Sequence, residues 1–138
     1  MQTDHIFIID DDKFFAKYFI KKFELIVNDK VEFHHFTSLT SVFTASLTIK
    51  PSLIFLDNFL KEGRGFESIP ELCKRYPEAE LILISASKSQ ELIEKAHKNG
   101  ASQFIFKDDL LMKNISERLT ERLSRSKKRK FWTSFFKP

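Results

Sequence analysis

Short apolar runs alternating with amphipathic stretches constrain this chain more than any other feature. Four of the runs are unbroken: Ile6 to Ile9, Leu53 to Leu56, Leu81 to Ile84 and Phe104 to Phe106. Runs of this kind read as strands buried on both faces. Val31 to Phe36 reads as a further strand. The segments between them have helical spacing. Phe15, Phe19, Phe23 and Ile26 share one face of a helix over Lys13 to Val27, ended by Asn28 and Asp29. Thr37 to Leu47 reads as a second helix, opened by Thr37 or Ser38 as its cap. Phe66 to Tyr76 reads as a third, stopped by Pro77, with Pro70 arguing for a later start. Ser89 to Asn99 reads as a fourth, with Gly100 as its stop. A fifth follows Asp108 or Asp109, carrying Leu111, Ile115, Leu119 and Leu123 four residues apart. Strand–helix alternation along the whole chain predicts an α/β fold: a doubly wound parallel sheet with helices on both faces. The elements differ in pattern, which excludes a solenoid.

The runs end in residues that can do chemistry. Asp10 and Asp11 follow the first, Asp57 closes the next central run, then come Ser85 and Lys107. A doubly wound sheet gathers such ends along one edge, where ligands bind. Neighbouring carboxylates repel by about 4 kcal/mol at ~4 Å and an effective dielectric near 20. A hard cation relieves that repulsion, and magnesium takes oxygen ligands. The competing reading is a helix start, because Asp favours the N-cap and first turn. The set has no positioned His base, no glycine-rich phosphate loop and no Cys nucleophile. Carboxylates with a divalent ion, an ammonium and a hydroxyl suit phosphoryl transfer. Asp57 stands alone and is the natural nucleophile, with the paired acids as metal holders. His34 and His35 are strand neighbours, point to opposite faces and form no site together. Satisfied or exposed rings are the expectation for both.

The bulk properties set limits. A chain of 138 residues fits one domain with a proper core. Its single cysteine, Cys73, excludes an intrachain disulfide and a cysteine zinc site, and a reducing, cytoplasmic setting is the default. No signal peptide is visible, and no stretch approaches the ~18 apolar residues of a membrane span. The net charge of +4 is unevenly spread: residues 122–138 hold seven of the 23 Lys and Arg and no acid. The rest of the chain is therefore mildly acidic. A body over residues 1–126 and a basic aromatic tail over 127–138 follow from that split. The tail is too short for a DNA-binding effector domain. Lys127 to Lys130, beside Phe131, Trp132, Phe135 and Phe136, suit an acidic surface: a membrane, nucleic acid or a protein partner.

Four motifs together resemble the receiver domain of response regulators in two-component phosphorelay signalling. They are Ile8-Ile9-Asp10-Asp11-Asp12, Leu53 to Asp57 with Gly65 eight residues on, Leu83-Ile84-Ser85-Ala86, and Gly100 to Lys107. The resemblance covers about residues 4–124 and implies a flavodoxin-like five-stranded sheet of order 2-1-3-4-5. It implies that Asp57 accepts a phosphoryl group from a histidine kinase or histidine phosphotransfer protein. Asp11, Asp57 and the Phe59 carbonyl would hold magnesium, with Asp10 acting largely through water. Ser85 would hydrogen-bond the phosphoryl group, Lys107 would pair with it, and Phe104 matches the switch aromatic. Such a domain is not an enzyme in its own right. It promotes its own phosphotransfer and dephosphorylation, and its output is protein contact.

Three positions depart from the family pattern. Asp108 follows Lys107 where proline is usual, so no cis peptide is expected there, since a non-proline cis bond costs about 2.5–4 kcal/mol. Lys61 also replaces a usual proline, and Phe59 is bulky where water reaches the acyl phosphate. The rival reading is a pseudo-receiver, a docking module that is never phosphorylated. A small haloacid-dehalogenase-like phosphatase is more distant, because its nucleophile normally follows the first strand.

Overall fold

Ile6 to Ile9 are branched or aromatic, and a strand covered on both faces accepts all four without a polar alternation. That strand, β1 (Asp4–Ile9), lies inside a five-stranded sheet. The computed structural model describes residues 3–24, 30–45, 48–87 and 89–108, with Leu111, Lys113, Asn114 and Glu117 beyond them. β1 is followed by α1 (Lys13–Glu24), β2 (Val31–Phe36), α2 (Leu39–Thr44) and β3 (Leu53–Asp57). Next come α3 (Ile69–Arg75), β4 (Glu80–Ser85), α4 (Gln90–Asn99) and β5 (Gln103–Phe106). The strands run parallel, as the strand–helix alternation predicts, in the order β2-β1-β3-β4-β5 that the family resemblance implies.

Alternating side chains divide the core between the two faces of the sheet. Ile6, Ile8, Phe55, Ile82 and Ile84 face α1 through Ala16, Phe19 and Phe23. Phe19 sits edge-on to Phe55, with ring centroids 5.1 Å apart. Phe7, Ile9, Ile54, Leu56 and Leu83 form the other face, covered by Leu39 and Val42 of α2, Ile69 and Leu72 of α3 and Ala96 of α4. Each such buried apolar side chain contributes about 1.5–3 kcal/mol. Four of the 16 phenylalanines, Phe7, Phe19, Phe23 and Phe55, are fully buried in this core.

Three element boundaries differ from expectation. α2 ends at Thr44, because Ala45 is already extended, and Ser38 is its cap, accepting from the Ser41 amide. Gly65–Ser68 form a 3-10 turn, so α3 begins at Ile69 with Pro70 in its first turn, where a missing N–H does no harm. Phe59–Leu60 pair with Gly63–Arg64 as a small antiparallel hairpin where a loop is expected. Gly100 ends α4 with a φ of 118°, a left-handed conformation in which its amide reaches the Ala96 and His97 carbonyls. The end of the first predicted helix (25–29), most of the fifth, and the 127–138 tail lie outside the described residues.

Candidate functional site

Asp10, Asp11 and Asp12 have three different tasks. Asp12 caps α1: its Oδ1 accepts from the amides of Phe14 and Phe15, each at 3.0 Å. Asp10 is buried, and its Oδ1 accepts from the Asp12 amide at 2.8 Å. Its Oδ2 pairs with Lys107 Nζ at 3.1 Å. The carbonyl of Asp10 accepts from His35 Nε2 at 2.8 Å. Asp11 is more open, and its Oδ2 accepts from the Lys61 amide at 3.0 Å. The acidic triplet is thus divided: Asp12 serves as the helix cap, while Asp10 and Asp11 lie beside Asp57.

Asp57 ends β3, between β1 and β4, and is 6% exposed. Its Oδ1 lies 3.9 Å from Lys107 Nζ. Lys107 enters from the end of β5, crossing the ring of Phe15 with its ammonium 4.2 Å from the centroid. Ser85 ends β4, fully buried, with Oγ accepting from the Ser87 amide at 3.1 Å and its carbonyl accepting from the Lys107 amide at 2.9 Å. The ends of β1, β3, β4 and β5 therefore meet as the strand pattern predicts.

The loop after Asp57 is held by a residue that sequence reasoning missed. Asn58 is buried and donates its amide to the Ile84 carbonyl at 2.8 Å. Its side-chain oxygen accepts from the Phe66 amide at 3.0 Å, and its carbonyl accepts from the Gly65 amide at 2.7 Å. A Cβ at residue 65 would lie 2.4 Å from the Asp57 carbonyl oxygen, so only glycine fits. Lys61 departs from the family pattern, and its backbone amide donates to Asp11. No local sequence signal marks either role.

Burial drives the electrostatics. It raises the Asp57 carboxyl from 3.8 to about 7, helped by the charges of Asp10 and Asp11 and opposed by Lys107 and the Phe59 amide. Burial also raises Asp10, against the Asp12 amide and Lys107. Asp10, Asp11 and Asp57 each offer an oxygen, all within 4.8 Å of one another. Three carboxylates facing one ammonium leave an excess of negative charge that a divalent cation would neutralise, so the donor set fits a hard ion. Phe59 is partly exposed, with the Arg64 guanidinium 4.5 Å from its ring centroid. Phe104 is half-buried on β5, packed edge-on to Phe106 with centroids 5.4 Å apart. Peptide bonds among the described residues are all trans, Lys107–Asp108 included.

Residues 6–119 match the model of the response regulator receiver domain. The chain belongs to that family. Receiver domains are the phosphorylatable switches of two-component signalling. Among relatives, this receiver is 35% identical over 82 residues to the transcriptional regulatory protein DpiA of Escherichia coli, covering 59% of this chain and 34% of DpiA. It is 36% identical over 59 residues to the chemotaxis protein CheY of Thermotoga maritima, covering 43% of this chain and 49% of CheY. The matched region thus spans a third to a half of these relatives. The phosphorylated cyanobacterial phytochrome response regulator RcpA shares the receiver's fold at a TM-score of 0.79 and 17% identity, over 90% of this chain and 96% of RcpA. No helix among the described residues is long and apolar enough to cross a membrane.

Proposed function

We propose that this receiver is a cytoplasmic switch that takes a phosphoryl group on Asp57 from a histidine kinase or histidine phosphotransfer protein. The observation that carries the reading is the placing of the Asp57 carboxylate at the end of a central strand, beside Lys107 and two further acids. Phosphorylation of the relative in fold, RcpA, points the same way. An Asp57 oxygen attacks the phosphorus of the donor phosphohistidine. A P–O bond forms as the P–N bond breaks, and the departing imidazole keeps the electron pair and takes up a proton. Lys107 faces the charge on the phosphoryl oxygens and needs to move little from its present place. The Ser85 hydroxyl, now an acceptor for the Ser87 amide, can donate to a phosphoryl oxygen.

Asp11, Asp57 and the Phe59 carbonyl would hold magnesium, with Asp10 behind them. Bound there, the ion supplies charge neutralisation for the phosphoryl oxygens. Phe104 would respond to the change at Ser85, its side chain turning inward to report phosphorylation to a downstream protein. The direct test is incubation with acetyl phosphate and magnesium, followed by intact mass. One phosphoryl adduct is expected on the wild type and none on Asp57→Asn. A wild type that stays folded and unlabelled, and binds no beryllofluoride, would favour a phosphorylation-independent docking module.

A further inference from the structure

Far from the acidic site, β1 and β2 bring together three donors that the receiver function does not use. The strands pair with His5 opposite Glu32 and Phe7 opposite His34. Alternation puts all four on one face, and β2 is an edge strand, so that face is open at its margin. His5 Nδ1 lies 2.9 Å from His34 Nε2. Glu32 Oε2 is 3.9 Å from the first nitrogen, and Oε1 is 3.9 Å from the second. Phe7 holds the His34 ring edge-on at 5.6 Å. The side chains of His5 and His34 are 23% and 17% exposed, so solvent reaches the cluster.

Two imidazole nitrogens and a carboxylate are the donor set of a zinc-type ion. With metal bonds of about 2.0–2.1 Å and a tetrahedral angle, ligand atoms stand about 3.3–3.4 Å apart. The two nitrogens are 2.9 Å apart, each is 3.9 Å from a different Glu32 oxygen, and one ligand atom from each residue lies within 4.8 Å of the others. Rotation of the exposed Glu32 side chain would bring a single oxygen toward both nitrogens, with the rings parting slightly to admit the ion.

We propose that His5, Glu32 and His34 form a second divalent-cation site, selective for a borderline ion of the zinc type. It lies at the opposite end of β1 from Asp10, about 17 Å away along the strand. The all-oxygen site suits magnesium, and the nitrogen-rich site suits zinc, so the two sort cations by chemistry. The ion bridges edge strand β2 to β1, with a fourth position open to water. On binding, one imidazole shifts its proton to its outer nitrogen, and no oxidant or reductant is needed. His34 and His35 do not share a site, as expected; His34 finds its partners on its own face instead.

The test uses the untagged full-length chain with excess magnesium to occupy the acidic site. Calorimetric titration with zinc chloride should give one equivalent. The ring resonances of His5 and His34 should move, while those of His35 and His97 stay. Outer partners of metal ligands alone are worth about 10–100-fold in affinity, so His5→Gln and His34→Gln should each weaken binding by about 100-fold or more. Asp57→Asn should titrate with zinc like the wild type. Zinc binding as tight in His34→Gln as in the wild type overturns the proposal. So does a wild type that binds no zinc at millimolar concentration, or one whose zinc shifts the other two histidines. If a variant misfolds by circular dichroism, the wild-type ring shifts decide alone.

Discussion

Replacing Asp57 with asparagine removes one of three clustered charges and keeps the side chain's shape. The folded state holds the Asp57 proton until about pH 7, against the usual 3.8. A shift of about three pKa units corresponds to at most about 4 kcal/mol of cost for the ionised form in the folded protein. Asparagine recovers less than this. It loses the 3.9 Å contact with Lys107, which keeps its 3.1 Å partner Asp10. It also buries an amide that needs partners, at about 1–2 kcal/mol if they are incomplete. The net expectation, in EDTA above pH 7, is a variant about 1–3 kcal/mol more stable than the wild type.

The sign with pH follows from linkage. Asp57 has a folded pKa above its unfolded one, so the folded state binds the proton more tightly. The cost is nil below about pH 4, grows through the window from about 4 to 7, and is complete above it. The stability gap between variant and wild type should therefore be widest near pH 8 and close toward pH 4. Urea unfolding in EDTA across that range measures it, and equal m-values show that the unfolded states are comparable. Magnesium should narrow the gap at high pH, because it binds the folded wild type and stabilises it by mass action. A variant no more stable than the wild type at pH 8, or a gap that widens on acidification, refutes the charge-cluster argument.

Gly65→Ala drives a methyl to 2.4 Å from the Asp57 carbonyl oxygen. It should cost about 1–3 kcal/mol in urea unfolding, and acetyl phosphate labelling should slow as Asp57 is displaced. Lys107→Ala leaves buried Asp10 without its 3.1 Å partner; it should lose about 1–3 kcal/mol near neutral pH and fail to accumulate the adduct by intact mass. Deleting residues 127–138 should leave labelling of Asp57 intact and abolish a salt-sensitive association with anionic vesicles. The four consecutive cations of that segment would supply about 1 kcal/mol each near such a surface. Equal vesicle binding by both chains would count against the tail as a contact element.

How much of this was legible depended on how far apart in sequence the interacting groups lie. Strands buried on both faces announce themselves as apolar runs, so β1, β3, β4 and β5 could be read directly, and with them the residues at their ends. Asp10, Asp57, Ser85 and Lys107 gather because a parallel sheet aligns those ends, a rule that needs no knowledge of side-chain contacts. Boundaries were less legible where two signals compete. Pro70 argues against a helix running unbroken from Phe66 and fits one that begins at Ile69, and the 3-10 turn before it starts at Gly65, which packs on the Asp57 backbone. Backbone-mediated roles were invisible: Lys61 acts through its amide, which any residue but proline would supply. The absence of proline there, read as a departure, is what gives Asp11 its donor. The His5, Glu32 and His34 cluster was hidden for another reason. Its members lie 29 residues apart at the widest and meet only through the β1–β2 register. A one-residue slip would send His34 to the other face and bring His35 beside His5. Identity alone marks both histidines as strand residues; register decides which of them meets a carboxylate and a second imidazole, and which braces the Asp10 carbonyl.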